Sequence, residues 1–369
     1  MIENFFSTLN SNNCLVNLSN SIANSFGLPV FHSTLSSIDA VLQKKKRNVV
    51  LFLLDGLGRN ILERHLKKDS FLRSHLVDYF SSVFPPTTVA ATTSILSGKF
   101  PIEHGRLGWD MYFPEEDQNI SLFPNTVSGT DKVAVPYNAA WRHYPYNSLI
   151  ERIQEAGFHA YFSAGHEVPH PKNFCEILAR VHHLCELSHR KFIYAYYEQP
   201  DSLEHLKGTD SPELITELQN IDERLSELTT NLEDTTFIIT ADHGHVDIKS
   251  ENLSDHPELT KCFSRTPSLE ARAINFFILK DKCDEFVKKF NEVYGNKDFL
   301  LVNMEEVLTK KFFGEGIPHP AVHSALGDYL AISVGDKALF INGTTFKGHH
   351  SGATREEFEI PLIVSESKK

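Results

Sequence analysis

Three uninterrupted apolar runs, each followed by an acidic side chain, constrain the fold of this chain more than any other feature. The runs are VVLFLL (49–54), FIYAYY (192–197) and TTFIIT (235–240). Runs this short and continuous are typical of strands buried on both faces, as in a parallel sheet covered by helices. Asp55, Asp201 and Asp242 follow the three runs. Because open α/β sheets bind ligands beyond the carboxyl ends of their strands, these residues predict a site at one sheet edge.

The remaining sequence alternates helix and strand patterns, which favours an α/β fold with a mostly parallel sheet. The predicted elements are helices at 36–46, 60–79, 148–156, 173–187 and 211–230, and strands at 158–164, 329–334, 338–341 and 358–364. Residues 1–35, rich in Asn and Ser, are expected to be a loosely structured lead-in with short helices. Residues 109–147, rich in aromatics, are expected to form long active-site loops.

Residues 250–325 interrupt the alternation and are predicted to form a smaller inserted cap. Within this segment the pattern indicates a strand at 273–279 and a helix at 284–292. The catalytic α/β core would then consist of residues 1–249 and 326–369. A chain of 369 residues is long enough for such an arrangement around a large core.

Composition narrows the class of protein. The net charge of −12 is spread along the chain, which argues against long DNA or RNA as a partner. A small anionic ester is compatible with this charge because bound metal ions invert it locally. Five scattered cysteines without a CxxC pair, no secretory signal and no membrane-length apolar run predict a cytoplasmic protein without a membrane segment. The sequence carries no information on oligomeric state.

The pair Asp242-His243 indicates a first metal site. The two residues leave the third apolar run next to each other, so both can turn towards one ion. Carboxylate and imidazole together suit zinc, although manganese is also compatible. Asp55, at the end of the first run, can supply a third ligand. Taken separately, an Asp-Gly after a strand is usually a turn and a buried histidine is often structural, so the argument rests on the joint pattern.

A second metal site is indicated by Asp201 and His205. They are four residues apart, one helical turn, so both can face the same ion. His350 can complete this set, although spacing alone does not separate it from His349. Two ions about 4 Å apart would hold the attacking and leaving oxygens of a phosphoryl transfer.

Thr88 is the candidate nucleophile. It lies at the predicted N-cap of a helix that starts near Val89, where free backbone amides attract anions. A hydroxyl held there by a metal ion would face a phosphorus atom, whereas its ordinary role would be helix capping. The competing hydroxyls are those of Thr87, Thr92, Thr93 and Ser94.

Together these motifs resemble the alkaline phosphatase superfamily, and within it the type I phosphodiesterase/nucleotide pyrophosphatase family, over about residues 47–365. The segment FPPTTVAATTSILSGKFPIEHG is similar to the nucleophile block of that family and aligns its threonine with Thr88. Three further blocks match its metal motifs: Pro200-Asp201 with His205, Asp242-His243-Gly244, and His350 in HSGATREEFEIP. The resemblance implies a three-layer sandwich with a central, mostly parallel sheet and a small inserted cap.

The resemblance also implies a ligand set and a reaction. One zinc would be held by Asp55, Asp242 and His243 and would activate Thr88, and the other would be held by Asp201, His205 and His350. Thr88 would attack phosphorus, and water would hydrolyse the phospho-threonine that results.

Two departures from the family bear on the substrate. Nucleotide pyrophosphatases have an aromatic residue and an Asn where this chain has Val89 and Ala91, although an aromatic from 109–146 could substitute in stacking. No basic residue lies within 85–97, which favours phosphodiesters unless Arg106, Arg142 or Arg355 reaches the site. The alternatives are a phosphomonoesterase, phosphonate hydrolase or phosphomutase on the same scaffold, or a catalytically silent metal-binding module.

Overall fold

A six-stranded mixed sheet lies at the centre of the computed structural model, which describes residues 12–163, 171 and 173–367. Its strands, numbered in chain order, are β1 (Asn48–Leu54), β2 (Leu76–Ser81), β6 (His159–Ser163), β7 (Lys191–Tyr197), β8 (Thr235–Thr240) and β17 (Glu359–Glu366). Their order is β2-β17-β8-β1-β7-β6. The strands β6, β7, β1 and β8 are parallel, and β17 is antiparallel to both of its neighbours. The predicted α/β fold with a mostly parallel central sheet is therefore confirmed.

The three apolar runs occupy the middle of this sheet because both of its faces are covered. Every residue of β1 and β8 is buried, as are the first five of β7. Strand β1 is in register with both neighbours, so that Leu54 pairs with Tyr197 and Leu53 with Thr240. The carboxyl ends of the three strands consequently meet at one edge, as expected.

Helices cover the sheet. The described helices are α1 (Leu15–Ser25), α2 (Ser36–Leu42), α3 (Arg59–His65), α4 (Phe71–Ser74), α5 (Thr88–Ser97), α6 (Pro101–His104), α7 (Ala139–His143), α8 (Leu149–Glu155), α9 (Phe174–Glu186), α10 (Asp201–Lys207), α11 (Pro212–Thr230), α12 (Pro257–Thr260), α13 (Cys283–Val293), α14 (Gly295–Asp298), α15 (Met304–Thr309), α16 (Val322–Ala325) and α17 (Arg355–Phe358), with a 3₁₀ turn at Leu253–Asp255. Within the described ranges, none of these helices has the length and apolar character needed to cross a membrane.

A second sheet has seven strands in the order β13-β14-β12-β11-β3-β4-β5. These strands are β3 (Asp110–Phe113), β4 (Gln118–Ser121), β5 (Thr126–Val127), β11 (Ser268–Glu270), β12 (Ala273–Phe276), β13 (Phe299–Asn303) and β14 (Tyr329–Ser333). Two further pairs join β9 (Val246–Asp247) to β16 (Gly348–His349) and β10 (Lys249–Asn252) to β15 (Lys337–Phe340). The segments 110–127 and 268–333 thus build one sheet together, and the predicted division into core and cap stays a prediction.

Several predicted elements are wrong. The expected loops at 109–147 contain three strands of two to four residues, which are too short to show a periodicity. The runs at 329–334 and 338–341 form strands outside the central sheet, so only the last run returns to it. The last part of the expected helix at 60–79 forms the edge strand β2 instead. The sequence did not predict this strand because its partner β17 lies about 280 residues later and leaves no local signal.

The expected loose lead-in also needs correction. Helix α1 is an 11-residue helix with nine buried residues. The Ser19 hydroxyl donates to the carbonyl of Ile95 at 2.6 Å, and the Asn20 amide donates to that of Gly98 at 2.9 Å. These bonds attach α1 to the helix that carries Thr88. Residues 1–11 of the predicted lead-in, and residue 164 of the predicted strand 158–164, lie outside the described residues.

Candidate metal centre

The carboxyl ends of β1, β7 and β8 bring the three acidic motifs together. Asp55 directly follows β1, and Asp242 lies two residues beyond the end of β8. Asp201 begins helix α10, and its amide donates to the carbonyl of Asp55 at 2.9 Å. Backbone pairing alone therefore places the carboxylates of neighbouring strands at one edge of the sheet.

The first cluster consists of Asp55, Thr88, Asp242 and His243. Nε2 of His243 lies 3.2 Å from the Thr88 hydroxyl, 3.3 Å from Oδ1 of Asp55 and 3.5 Å from Oδ2 of Asp242. All four residues are buried. Nδ1 of His243 lies 3.2 Å from the carbonyl of Gly244. This contact orients the ring so that Nε2 faces the cluster.

The first cluster fits a divalent cation. Oδ1 of Asp55 and Oδ2 of Asp242 are buried and have no hydrogen-bond partner among the described residues. Burial, followed by the charges of Asp242 and Asp201, raises the pKa of Asp55 well above its ordinary value. Burial raises the pKa of Asp242 to about 6 and lowers that of His243 to about 3. Crowded carboxylates with free oxygens, beside a neutral imidazole, form a donor set that can hold a divalent metal ion such as zinc.

The second cluster consists of Asp201, His205, His245 and His350, whose ligand atoms all lie within 4.8 Å of one another. Oδ1 of Asp201 is 2.7 Å from Nε2 of His245, 3.4 Å from that of His205 and 3.7 Å from that of His350. Its four members therefore offer one carboxylate and three imidazoles to a second ion.

Backbone carbonyls orient two of these imidazoles. Nδ1 of His205 lies 2.9 Å from the carbonyl of Gly348, and Nδ1 of His350 lies 3.1 Å from the carbonyl of Pro86. A proton on Nδ1 donated to a carbonyl leaves the lone pair of Nε2 for a metal ion. Nδ1 of His349 instead lies 2.9 Å from both the amide nitrogen and the carbonyl oxygen of its neighbour His350. Of the two neighbours, His350 is the one whose ligand atom belongs to the cluster.

Thr88 is the first residue of α5, and Thr87 is the N-cap, one position earlier than expected. The Thr88 hydroxyl also lies 3.5 Å from Oδ2 of Asp55. Three of the four competing hydroxyls have other partners: Thr87 donates to Glu270 at 2.6 Å, Thr92 donates back to the carbonyl of Thr88 at 2.6 Å, and Ser94 contacts His104 at 3.0 Å. Among these described hydroxyls, the Thr88 hydroxyl is the one with contacts to the first cluster.

His245 and Glu270 are among the site residues that the sequence interpretation missed. His245 lies two positions after His243, so the second histidine of Asp-His-Gly-His was an available signal. Glu270, on β11, accepts the Thr87 hydroxyl at 2.6 Å and the amide of Trp109 at 2.7 Å. Its contact with the start of α5 is a tertiary contact, and no local sequence pattern predicts it.

The three arginines that were considered as substrate-binding residues have other partners. Arg106 is buried, donates to the carbonyl of Tyr144 at 3.1 Å and stacks on Trp141. The remaining two contact an aromatic ring and a carboxylate: Arg142 lies over Tyr137, and Arg355 pairs with Glu359. The described part of the site is consequently rich in acids and imidazoles rather than in cations.

Solved structures define the class of fold. Human ectonucleotide pyrophosphatase/phosphodiesterase 5 aligns with a TM-score of 0.65 and 16% identity, covering 87% of this chain and 90% of that chain. An inactive variant of the murine protein, in complex with AMP, aligns with a TM-score of 0.66 and 16% identity, covering 88% and 91%. At this identity the likeness shows the fold, which is alkaline-phosphatase-like.

The family follows from the sequence. The family profile of type I phosphodiesterase/nucleotide pyrophosphatase matches residues 49–274, more than half of the chain. The chain therefore belongs to this family, as the motif resemblance predicted. The matched stretch contains the whole first cluster and three members of the second, whereas His350 lies beyond it.

Curated relatives match a smaller part of the chain. Venom phosphodiesterase 2 of Crotalus adamanteus is 26% identical over 236 residues, which is 56% of this chain and 28% of that protein. Venom phosphodiesterase CdcPDE of Crotalus durissus collilineatus is also 26% identical over 236 residues, covering 56% and 27%. The chain thus spans less than a third of the length of these relatives.

Proposed function

We propose that this chain hydrolyses phosphodiesters with two divalent metal ions and that Thr88 is its nucleophile. Zinc is the preferred metal in this proposal, and manganese is the alternative. The observation that carries the proposal is the position of the Thr88 hydroxyl, 3.2 Å from Nε2 of His243 and 3.5 Å from Oδ2 of Asp55. A hydroxyl beside unpartnered carboxylate oxygens and a free imidazole nitrogen is where an ion could activate it.

The reaction that these residues support is a double displacement. Bound ions would supply charge stabilisation for the attacking and leaving oxygens. The Thr88 oxygen attacks phosphorus, and the bond from phosphorus to the leaving alcohol oxygen breaks, which gives a phospho-threonine. Water then attacks that phosphorus, the bond from phosphorus to the Thr88 oxygen breaks, a proton returns to this oxygen, and the phosphate monoester is released. The amides of Thr88 and Val89, at the start of α5, have no intrahelical acceptor and can hold the non-bridging oxygens.

A diester is the favoured substrate class because it carries less charge than a monoester dianion. Arg106, Arg142 and Arg355 have other partners, so the described site offers little to neutralise a second negative charge. The relatives named venom phosphodiesterases, and the AMP bound by the murine structural neighbour, support a small phosphate ester. Val89 and Ala91 supply neither an aromatic ring nor an amide, so the proposal does not include a nucleotide base.

A substrate panel on purified, zinc-loaded protein tests this proposal. We expect faster turnover of a chromogenic bis-ester than of the matching mono-ester, and loss of turnover after chelation. Thr88→Ala should lower kcat by at least about 10³-fold while zinc content stays unchanged. Thr92→Ala is the matched control, since that hydroxyl bonds back to its own helix, and its kcat should stay within a few-fold of the wild type.

Other outcomes point to the alternatives. Preference for the mono-ester would indicate a phosphomonoesterase. Turnover restricted to phosphonates would indicate a phosphonate hydrolase, and transfer of phosphate within one substrate molecule would indicate a phosphomutase. Bound zinc without turnover of any ester would indicate a silent metal-binding module. Full activity of Thr88→Ala would contradict the assignment of the nucleophile.

A further inference from the structure

One member of the second cluster, His245, and one buried residue beside that cluster, Glu204, are absent from the ligand set that the sequence predicted. His245 and Glu204 are both 0% exposed. Nε2 of His245 lies 2.7 Å from Oδ1 of Asp201 and 3.9 Å from Oε2 of Glu204. Glu204 is on α10, between Asp201 and His205, so the same helical turn presents all three side chains.

Glu204 has no protein partner that explains its burial. Neither of its carboxylate oxygens has a hydrogen-bond partner among the described residues. A Cβ on Gly56 would lie 2.7 Å from Oε2 of Glu204, so the loop that follows β1 packs directly against the carboxylate. A buried carboxylate in this position is costly unless a cation or a donor accompanies it.

His245 is similarly incomplete. Its Nδ1 is buried and has no hydrogen-bond partner within the part of the chain that the structure describes. An ordinary hydrogen bond from Nε2 to Asp201 would explain one nitrogen of His245 but would leave Glu204 without a partner. A cation among Asp201, His245 and Glu204 would give the Glu204 carboxylate a partner and take Nε2 of His245 as a ligand, with the ring proton on the buried Nδ1. Ligand atoms about 2.0–2.2 Å from one tetrahedral zinc lie roughly 3.5 Å apart, close to the 3.9 Å between Nε2 of His245 and Oε2 of Glu204.

We propose that His245 is an additional nitrogen ligand of the second metal ion and that Glu204 is the buried carboxylate that neutralises this ion. The inference rests on the proposed two-metal function. A divalent ion held by Asp201 and neutral imidazoles keeps one residual positive charge, which the carboxylate of Glu204 cancels. Three imidazoles also favour zinc over manganese at this site.

The first measurement is metal binding, independent of turnover. Zinc content after dialysis, and zinc affinity in competition with a chelator, are determined for the wild type, His245→Leu, Glu204→Gln and the control His65→Gln. His65 is a buried imidazole outside both clusters, with Nε2 2.8 Å from the carbonyl of Thr209. Both test variants should keep the first ion and bind the second about 10- to 100-fold more weakly, whereas the control should bind two ions as the wild type does.

Two further readouts separate ligation from a structural role. In cobalt-substituted protein, His245→Leu should change the visible absorption of one of the two ions, because one nitrogen leaves its coordination shell. Without metal, Glu204→Gln should be at least as thermally stable as the wild type, since it removes an unpartnered buried acid, and yet zinc should stabilise it less. A variant that merely damaged the fold would lose stability in the metal-free form.

The outcomes distinguish this inference from the proposed function. Wild-type affinity for both ions in His245→Leu and Glu204→Gln, together with chelator-sensitive turnover of the wild type, would overturn the inference and leave the two-metal function intact. Failure of the wild-type protein to bind a second ion would overturn both.

Discussion

The buried ion pair between Arg272 and Glu357 should be one of the most sensitive points of the fold. Arg272 is 0% exposed and donates from Nε to Oε1 of Glu357 at 2.7 Å and from Nη2 to Oε2 at 2.9 Å. Its guanidinium also donates to the carbonyls of Lys337 and Gly335, at 2.8 and 2.9 Å. Arg272→Met keeps much of the side-chain volume but leaves Glu357 as a buried carboxylate without its cation.

The expected loss of stability follows from this burial. Removing one partner of a buried, hydrogen-bonded ion pair costs about 3–5 kcal/mol, because the other charge remains desolvated. In a chain of this size that loss corresponds to a fall in Tm of roughly 5 °C. Arg355→Met is the control, since Arg355 is 69% exposed in its pair with Glu359, and it should cost about 0–1 kcal/mol.

A double-mutant cycle measured by urea unfolding tests the reasoning. Arg272→Met and Glu357→Gln should each destabilise the protein, and the double variant should be less destabilised than the sum of the two, because neither charge is then left alone. Additive effects, within about 0.5 kcal/mol, would refute the claim that the two charges compensate each other. The pair should also matter for metal binding, because Glu357 accepts the amide of Gly352 at 2.6 Å and so anchors the segment that carries His350.

Two further predictions concern groups around the first cluster. The Tyr196 hydroxyl donates to Asp55, so Tyr196→Phe should weaken binding of the first zinc about 10-fold, measured in competition with a chelator. The control Tyr194→Phe removes a buried hydroxyl without a partner among the described residues, and its zinc affinity should equal that of the wild type. Burial raises the pKa of Glu270 from 4.5 to about 7, so the folded metal-free protein keeps a proton that the unfolded chain releases as the pH rises through this window. Glu270 should therefore contribute a fall of up to about 3 kcal/mol in stability between pH 4.5 and 7, and the difference between wild type and Glu270→Gln in urea unfolding across that range isolates this contribution from those of Asp201 and Asp242; equal pH dependence of the two proteins would contradict the assignment.

The sequence by itself determined the central strands and the motifs at their ends. The apolar runs that became β1, β7 and β8 are continuous because both faces of these strands are buried, and that burial leaves a local pattern. The same reasoning placed Asp55, Asp201 and Asp242 at one edge, since parallel neighbours in register end together. Motif order then identified the family, which the sequence profile confirms.

Only the tertiary structure decided which distant residues complete the site. No local sequence pattern identifies Glu204 as a site residue, because its burial depends on the approach of the loop around Gly56. Glu270 reaches the start of α5 from the second sheet, and Arg272 meets Glu357 across 85 residues. The edge strand β2 was missed for the same reason, since its neighbour in the central sheet, among the described residues, is the distant strand β17. Periodicity records the environment of neighbouring residues, whereas these contacts depend on segments that come together only when the chain folds.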